Sequence, residues 1–314
     1  MRDQLIAEWL AQSPWADRTV EAIQGDASAR SYARLIHPSD EPLILMDAPP
    51  DSCGSQESFV VLAEHLRSLG LCAPIVHDWD ETLGLLCLED LGPTDMAQHL
   101  VQSPGDEISL YQATTDVLLK IGSAPPPKCL PVMTPTVAGD MIAVAFDWVA
   151  VDATDQERAD LTGLMTEVME KIDPQPKCLS LRDFHSENLI WRPNKAGTDR
   201  IGLLDFQDAF VTHPAYDLAS LLRDARRDVD PQLVPILIKE MTDDTERFRE
   251  AFHIIAIQRN VRILGIFSRL AKRDRKRQYE ALLPRVRRYI AEDLKPDIAA
   301  PLRPLITRLF LESA

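Results

Sequence analysis

Residues 178–191, CLSLRDFHSENLIW, followed after the polar turn PNKAGTDR at 193–200 by IGLLDFQDA at 201–209, decide the fold. Two apolar, strand-like runs flank a polar loop. LSL leads into Arg182 and Asp183, NLIW leads out from Asn188, and IGLL delivers Asp205 at its end. The pattern predicts three metal-competent or proton-accepting groups on neighbouring short strands. Phosphoryl transfer asks for few protein groups: a carboxylate to orient and deprotonate an acceptor hydroxyl, and oxygen ligands to hold magnesium on nucleotide phosphates. The spacing D-x-x-x-x-N supplies them. In that chemistry Asp183 is the base, Asn188 offers an amide oxygen to one magnesium, and Asp205 is the principal carboxylate ligand, with ATP providing the remaining ligands.

Upstream, residues 1–13 have the apolar spacing of an amphipathic helix, and TVEAIQ, SYARLIHP and PLILMDAP within 19–49 read as antiparallel strands with turns at Gly25 and Pro38. A helix over 57–69 ends at Gly70, and APIVHDWD and TLGLLCLEDLG form a further hairpin. Past Gly92 and Pro93 helical periodicity takes over, at 95–121, at 155–172 and again from Pro231 onward, so the best domain break lies near residue 92. The Pro-rich stretch at 124–135 reads as a surface connector. The whole is an α+β chain, with a small β-rich part over 1–92 and a large α-rich part over 93–314.

A chain of 314 residues exceeds the size at which one hydrophobic core stops growing, which agrees with two lobes. Its 34 basic and 49 acidic residues give a net charge of -15, which repels phosphate backbones and anionic lipid surfaces, so neither nucleic acid nor membrane is an expected partner. The five cysteines are odd in number and never spaced C-x-x-C, the pattern of reduced thiols rather than of a disulfide framework or zinc site. The first ten residues mix charge with apolar positions, unlike a signal peptide, and no run approaches the ~18 apolar residues of a spanning helix. A cytoplasmic protein is expected.

The chain resembles the aminoglycoside phosphotransferase and choline kinase relatives of the protein kinases, whose catalytic loop reads H-x-D-x-H-x-x-N. Asp183, His185 and Asn188 match it; Leu204, Asp205 and Phe206 match the family's magnesium-aspartate element; Pro214, Tyr216, Asp217, Leu218 and Ala219 match its P-x-Y-D-L-A element. The resemblance implies a bilobal protein-kinase-like fold and a hinge at Leu88 to Gly92 that sets Glu89 and Leu91 beside ATP. It further implies that Asp217 anchors the catalytic loop, and it favours a structural hydrogen-bonding role for His185 over that of a base. A narrower similarity, in residues 202–229, 258–270 and 44–50, is to the bacterial cell-wall recycling kinases of N-acetylmuramate and N-acetylglucosamine. That similarity implies the anomeric C1 hydroxyl of an amino sugar as acceptor. An aminoglycoside or choline-type alcohol kinase is the second reading, and a nucleotide-binding module without turnover is the third.

Two positions depart from the family pattern. Met46 stands where a lysine usually holds the nucleotide phosphates, which directs attention to Arg30 or Arg34 on the adjacent strand as the clamp. Leu181 replaces the first histidine of the catalytic loop. The turn QGDASARS at 24–31 contains Gly25 and Ser28, placed to cradle phosphates, with small neighbours that permit close backbone approach. The basic run from Arg269 to Arg277 reads first as the solvated end of a helix and second as an attraction for an anionic acceptor such as the lactyl carboxylate of muramate. Trp148 suits either a core position or stacking on a sugar ring.

Overall fold

The computed structural model describes residues 2–23, 29–128 and 130–312. Along the chain run α1 (Arg2–Gln12), β1 (Thr19–Ile23), β2 (Ser31–Ile36), β3 (Leu43–Asp47), α2 (Pro50–Cys53), α3 (Glu57–Ser68), β4 (Val76–Asp80) and β5 (Leu85–Glu89). The helical stretch α4 (Met96–Gln102), α5 (Glu107–Gly122), α6 (Pro135–Asp140), α7 (Ala143–Trp148) and α8 (Asp155–Ile172) follows. Four three-residue strands come next: β6 (Cys178–Ser180), β7 (Leu189–Trp191), β8 (Ile201–Leu203) and β9 (Phe210–Thr212). The chain closes with α9 (Ala215–Leu222), α10 (Leu233–Met241), α11 (Thr245–Lys272), α12 (Leu283–Asp293) and α13 (Arg303–Ile306).

Two compact units emerge, residues 1–96 with 189–207, and residues 97–188 with 208–314. In the first, an antiparallel sheet has the order β1-β2-β3-β5-β4. The central strands read LILMD and LLCLE and are almost wholly buried, while the edge strand β1 is exposed throughout. Apolar runs go to the middle because both their faces are covered, and the more polar strand takes the edge. The helix α3 stops as the glycine signal predicts: Gly70 adopts φ 70°, its amide bonds Arg67 O at 2.9 Å, and Leu71 N bonds Leu66 O at 3.1 Å. These are the paired closing bonds of a helix end built on a left-handed glycine.

The hairpin of β7 and β8 joins this first unit despite lying far along the sequence. Trp191 N donates to Thr94 O at 3.0 Å, Leu203 N to Cys72 O at 2.8 Å, and the Thr198 hydroxyl to Gly70 O at 3.2 Å. Cys72, Leu91 and Ile190 close a small apolar cluster over Leu204. The expectation of neighbouring short strands holds for the runs NLIW and IGLL, which pair as β7 and β8, and is corrected for the run before Asp183. β6 pairs with β9 and β7 with β8, so the two strands that flank residues 181–188 belong to different two-stranded ladders. Short strands carry too little apolar pattern to choose a partner, and long-range backbone bonds make the choice instead.

The second unit is built around α11, 28 residues long, whose buried face includes Ile254, Ile255, Ile257, Val261 and Leu264. Thr154 and Glu157 start α8 with a reciprocal capping box. Helices α7 and α11 approach closely at Gly265, where an added Cβ would meet Ala145 N and Val144 C at 2.6 Å. Backbone on both sides cannot yield cheaply, so Gly265→Ala should cost about 1–3 kcal/mol. Gly163 in α8 has nothing within 4 Å of a built Cβ, so Gly163→Ala should gain up to ~1 kcal/mol from helix propensity alone. Thermal or urea unfolding of the two variants checks the contrast; equal effects would contradict the close approach.

Candidate active site

The loop over 181–188 is held by a buried carboxylate. Asp217, on α9 and 3% exposed, accepts three hydrogen bonds: from the Ser180 hydroxyl at 2.7 Å, Leu181 N at 2.7 Å and Arg182 N at 3.0 Å. Arg182 N also reaches the Ser180 hydroxyl, and the Ser220 hydroxyl donates to Arg182 O. Fixed from both sides, Arg182 adopts φ 70°, a left-handed conformation costly for a residue with a β-carbon. Leu181 is buried and packs where a histidine was expected; the Asp217 bonds to its own amide and to that of Arg182 supply the anchoring. This turn presents Asp183, half-buried, at its head.

Asn188 closes the loop. Its Nδ2 donates to Asp183 O at 2.9 Å and lies 3.2 Å from His185 Nε2. The amide nitrogen is thus the atom tied to the loop, which orients the oxygen as the group for a hard cation. His185 is buried, and burial first, then the Arg226 charge, push its pKa down to about 3. A neutral ring that accepts from Asn188 carries its proton on Nδ1, a buried atom with no partner among the described residues. His185 is a structural acceptor in this arrangement. Below it, Ser186 donates to Asp224 at 2.8 Å.

Asp205 lies in the first unit, exposed, with φ 56° and an oxygen that accepts from Gln207 Nε2 at 2.7 Å. Phe206 beside it is fully buried and stacks on Phe59 of α3 at 5.0 Å. Among the described residues three non-glycine positions have positive φ, and two of them are Arg182, next to Asp183, and Asp205 itself. Strain of this kind persists where surrounding structure imposes it, and it gathers at functional loops. An exposed carboxylate and an oriented amide oxygen are hard ligands of the type magnesium takes.

Of the remaining expected positions, Gly25 and Ser28 lie outside the described residues. Arg30 donates to Gln56 Oε1 at 3.2 Å. Burial pushes the Tyr32 phenol up to about 12, with the charges of Arg30 and Asp205 acting on it in opposite senses, so both flank Tyr32. Arg34 is paired with Asp90, whose other oxygen accepts from Gly92 N, and so ties β2 to the expected hinge stretch. Glu89 accepts from Ile75 N and pairs with Arg67 and Arg192, while Leu91 is buried in the Cys72 cluster. Met46 is a core residue, 1% exposed and opposite Tyr32 and Leu86. The basic run past Arg269 leaves Arg273 exposed and paired with its neighbour Asp274. Two arginines in α11, Arg259 and Arg262, surround Tyr216 together with Arg182 and Asp183, and sequence reasoning passed over them. The available signal was a pair of arginines three apart within the mostly apolar stretch 254–267 of α11.

A model of the phosphotransferase enzyme family matches residues 19–251. An N-acetylmuramate/N-acetylglucosamine kinase of Caulobacter vibrioides is 33% identical, over 92% of this chain and 91% of its own length. One from Pseudomonas putida is 26% identical over 95% of this chain and 91% of its own. Among solved structures, a choline/ethanolamine kinase family protein from Mesorhizobium loti aligns with a TM-score of 0.68 at 13% identity, covering 98% of this chain and all of that one. At such identity the likeness concerns the fold, and it bears out the kinase-like architecture. With the family match spanning most of the chain and relatives similar over nearly all of it, the chain belongs to the phosphotransferase enzyme family.

Proposed function

We propose that this chain is an ATP-dependent, magnesium-requiring kinase of the anomeric C1 hydroxyl of N-acetylmuramate and N-acetylglucosamine. The observation that carries the reading is the Asp217-anchored turn whose strained Arg182 presents Asp183 next to it, supported by the two relatives of that printed name. Asp183 accepts a hydrogen bond from the acceptor hydroxyl and takes its proton as the new O–P bond forms and the bond from the γ-phosphorus to ADP breaks. An anomeric hydroxyl is more acidic than an ordinary alcohol, so positioning is the larger share of that task. Asn188 and Asp205 would hold magnesium, which when bound neutralises the nucleotide phosphates.

With Met46 apolar, a guanidinium is the candidate phosphate clamp. Arg30 is the better placed of the two, because it flanks Tyr32 with Asp205 whereas Arg34 is engaged by Asp90. Gly25 and Ser28 would cradle the phosphates through their backbone, and Glu89 and Leu91 mark the stretch proposed to bind the base. The arginines gathered near Asp183 disfavour a cationic acceptor, and so set the aminoglycoside and choline readings behind the amino-sugar one.

Purified protein with ATP and magnesium should phosphorylate both amino sugars and leave aminoglycosides and choline untouched. Asp183→Asn should lower kcat by about 10²–10⁴ while nucleotide still binds. Turnover confined to a cationic acceptor would overturn the reading, as would an Asp183→Asn variant of undiminished activity.

The loop's buried groups also set a pH dependence. Burial pushes His185 down to about 3 and His213 down to about 4, so the stability they provide is present above their ordinary pKa near 6.5 and is lost as pH falls below it. Asp217 runs the other way. Burial pushes it up to about 6 against its three hydrogen bonds, so its contribution grows as pH falls through that value. Between about pH 6 and pH 4 the three together favour the unfolded chain by a net of about one proton, roughly 1.4 kcal/mol per pH unit. Urea midpoints of wild type and of the double variant His185→Gln, His213→Gln across this window should diverge, the variant being the less acid-sensitive. Parallel curves would show that neither ring is held neutral.

A further inference from the structure

The arginines that follow α9 are each neutralised by a carboxylate. In the segment after α9, Arg223 pairs with Asp293 at 2.7 Å, Arg226 with Glu187 at 2.8 Å and Arg227 with Glu107 at 2.6 Å. Arg182, Arg259 and Arg262 differ: none forms an ion pair with any carboxylate among the described residues. Arg259 is 3% exposed and makes only neutral contacts, to the Ser220 hydroxyl at 2.8 Å and the Asn260 side-chain oxygen at 3.4 Å. Arg182 rests over the Phe210 ring, and its buried Nε has no hydrogen-bond partner among the described residues. Arg262 lies against Tyr216, a wholly buried residue whose hydroxyl completes no well-directed hydrogen bond.

Burial drives the pKa of Arg259 and of Arg262 downward, the direction expected of cations desolvated without full compensation. Uncompensated buried charge is expensive, and in a native fold it calls for a counter-ion. Asp224 and Asp217 act on Arg259, the innermost of the three, while Asp183 acts on Arg259, on Arg262 and on the Tyr216 that Arg182 also flanks. With Arg259 so balanced, Arg182 and Arg262 remain beside the single charge of Asp183, a surplus of positive charge next to the proposed base. Arg182 and Arg262 are both partly accessible, so an incoming group can reach them, while Arg259 sits behind.

We propose that Arg182 and Arg262, backed by Arg259, form an anion subsite beside Asp183 that binds a carboxylate carried by the acceptor. The inference rests on the amino-sugar reading for the identity of that acceptor, in which the lactyl group of N-acetylmuramate supplies the carboxylate. The guanidinium fork suits a planar carboxylate and donates two parallel bonds to it. This assignment moves anion recognition away from the basic run at 269–277, where Arg273 is already paired with Asp274.

The test compares N-acetylmuramate with its methyl ester, which keeps the shape and removes the charge. Both kcat/KM and calorimetric binding are measured, in wild type, Arg262→Met and Arg262→Lys. Wild type should prefer the acid by roughly 10- to 100-fold, the range of a charge-assisted hydrogen-bonded contact. Arg262→Met should abolish that preference, and Arg262→Lys, which keeps charge without the fork, should retain part of it. Methionine removes a desolvated charge, so the variant should fold; circular dichroism and a melting curve confirm this before the comparison. An absent preference in wild type, or one undiminished in Arg262→Met, overturns the subsite. A proportional fall for both sugars also overturns it, because the guanidinium would then be serving the transferred phosphoryl group. Should wild type turn over neither sugar yet bind the acid over the ester in an Arg262-dependent way, the subsite stands and the proposed reaction falls.

Discussion

Everything at the reactive loop depends on one buried carboxylate and the three donors that converge on it. Asp217 is nearly solvent-free, and a charge in that position is tolerable only when its oxygens are fully engaged. The Ser180 hydroxyl and the amides of Leu181 and Arg182 engage them. Bonds to an ionised acceptor contribute about 1.5–3 kcal/mol each, enough together to hold Arg182 in a conformation its β-carbon resists. The direction in which Asp183 leaves the backbone follows from that constraint. The geometry of Asp183, the proposed base, is therefore set by a residue outside the proposed reaction.

Much of this was legible in the sequence, for identifiable reasons. The apolar strand runs, the glycine after α3 and the helical periodicity of α8 act locally, and local chemistry is what a sequence displays most directly. The ordered elements around Asp183, Asp205 and Asp217 were legible because each residue type has few substitutes for its task. Strand pairing was not. Three-residue strands such as β6 and β7 have no pattern long enough to specify a partner, and their assignment to separate ladders follows from backbone bonds to Thr94, Cys72 and Val211, far away in sequence. Arg259 and Arg262 stayed hidden for a related reason: an arginine on a helix is ordinarily solvated, and only the packing around α11 makes these two costly.

The two departures from the family pattern have different physical resolutions. Leu181 needs no replacement hydrogen bond, since its side chain is buried and the loop is anchored through the backbone. Met46 does leave a chemical gap. It lies in the core of the sheet, and the adjacent Asp47 is engaged by Arg2 and by the Ser31 hydroxyl, so β3 presents no cation.

The placement of the β7–β8 hairpin bears on how the molecule comes into being. Chains fold from the amino terminus as they are made, yet the first unit lacks two of its strands until Gln207 has left the ribosome. Until then Cys72, Leu91 and the carbonyls of Gly70 and Thr94 are without the apolar cover and donors that residues 189–207 bring. The amino-terminal unit must wait, incomplete, while residues 97–188 of the other unit are synthesised. A nascent chain arrested between those points presents an incomplete surface, and chaperone contact is expected to concentrate in that interval.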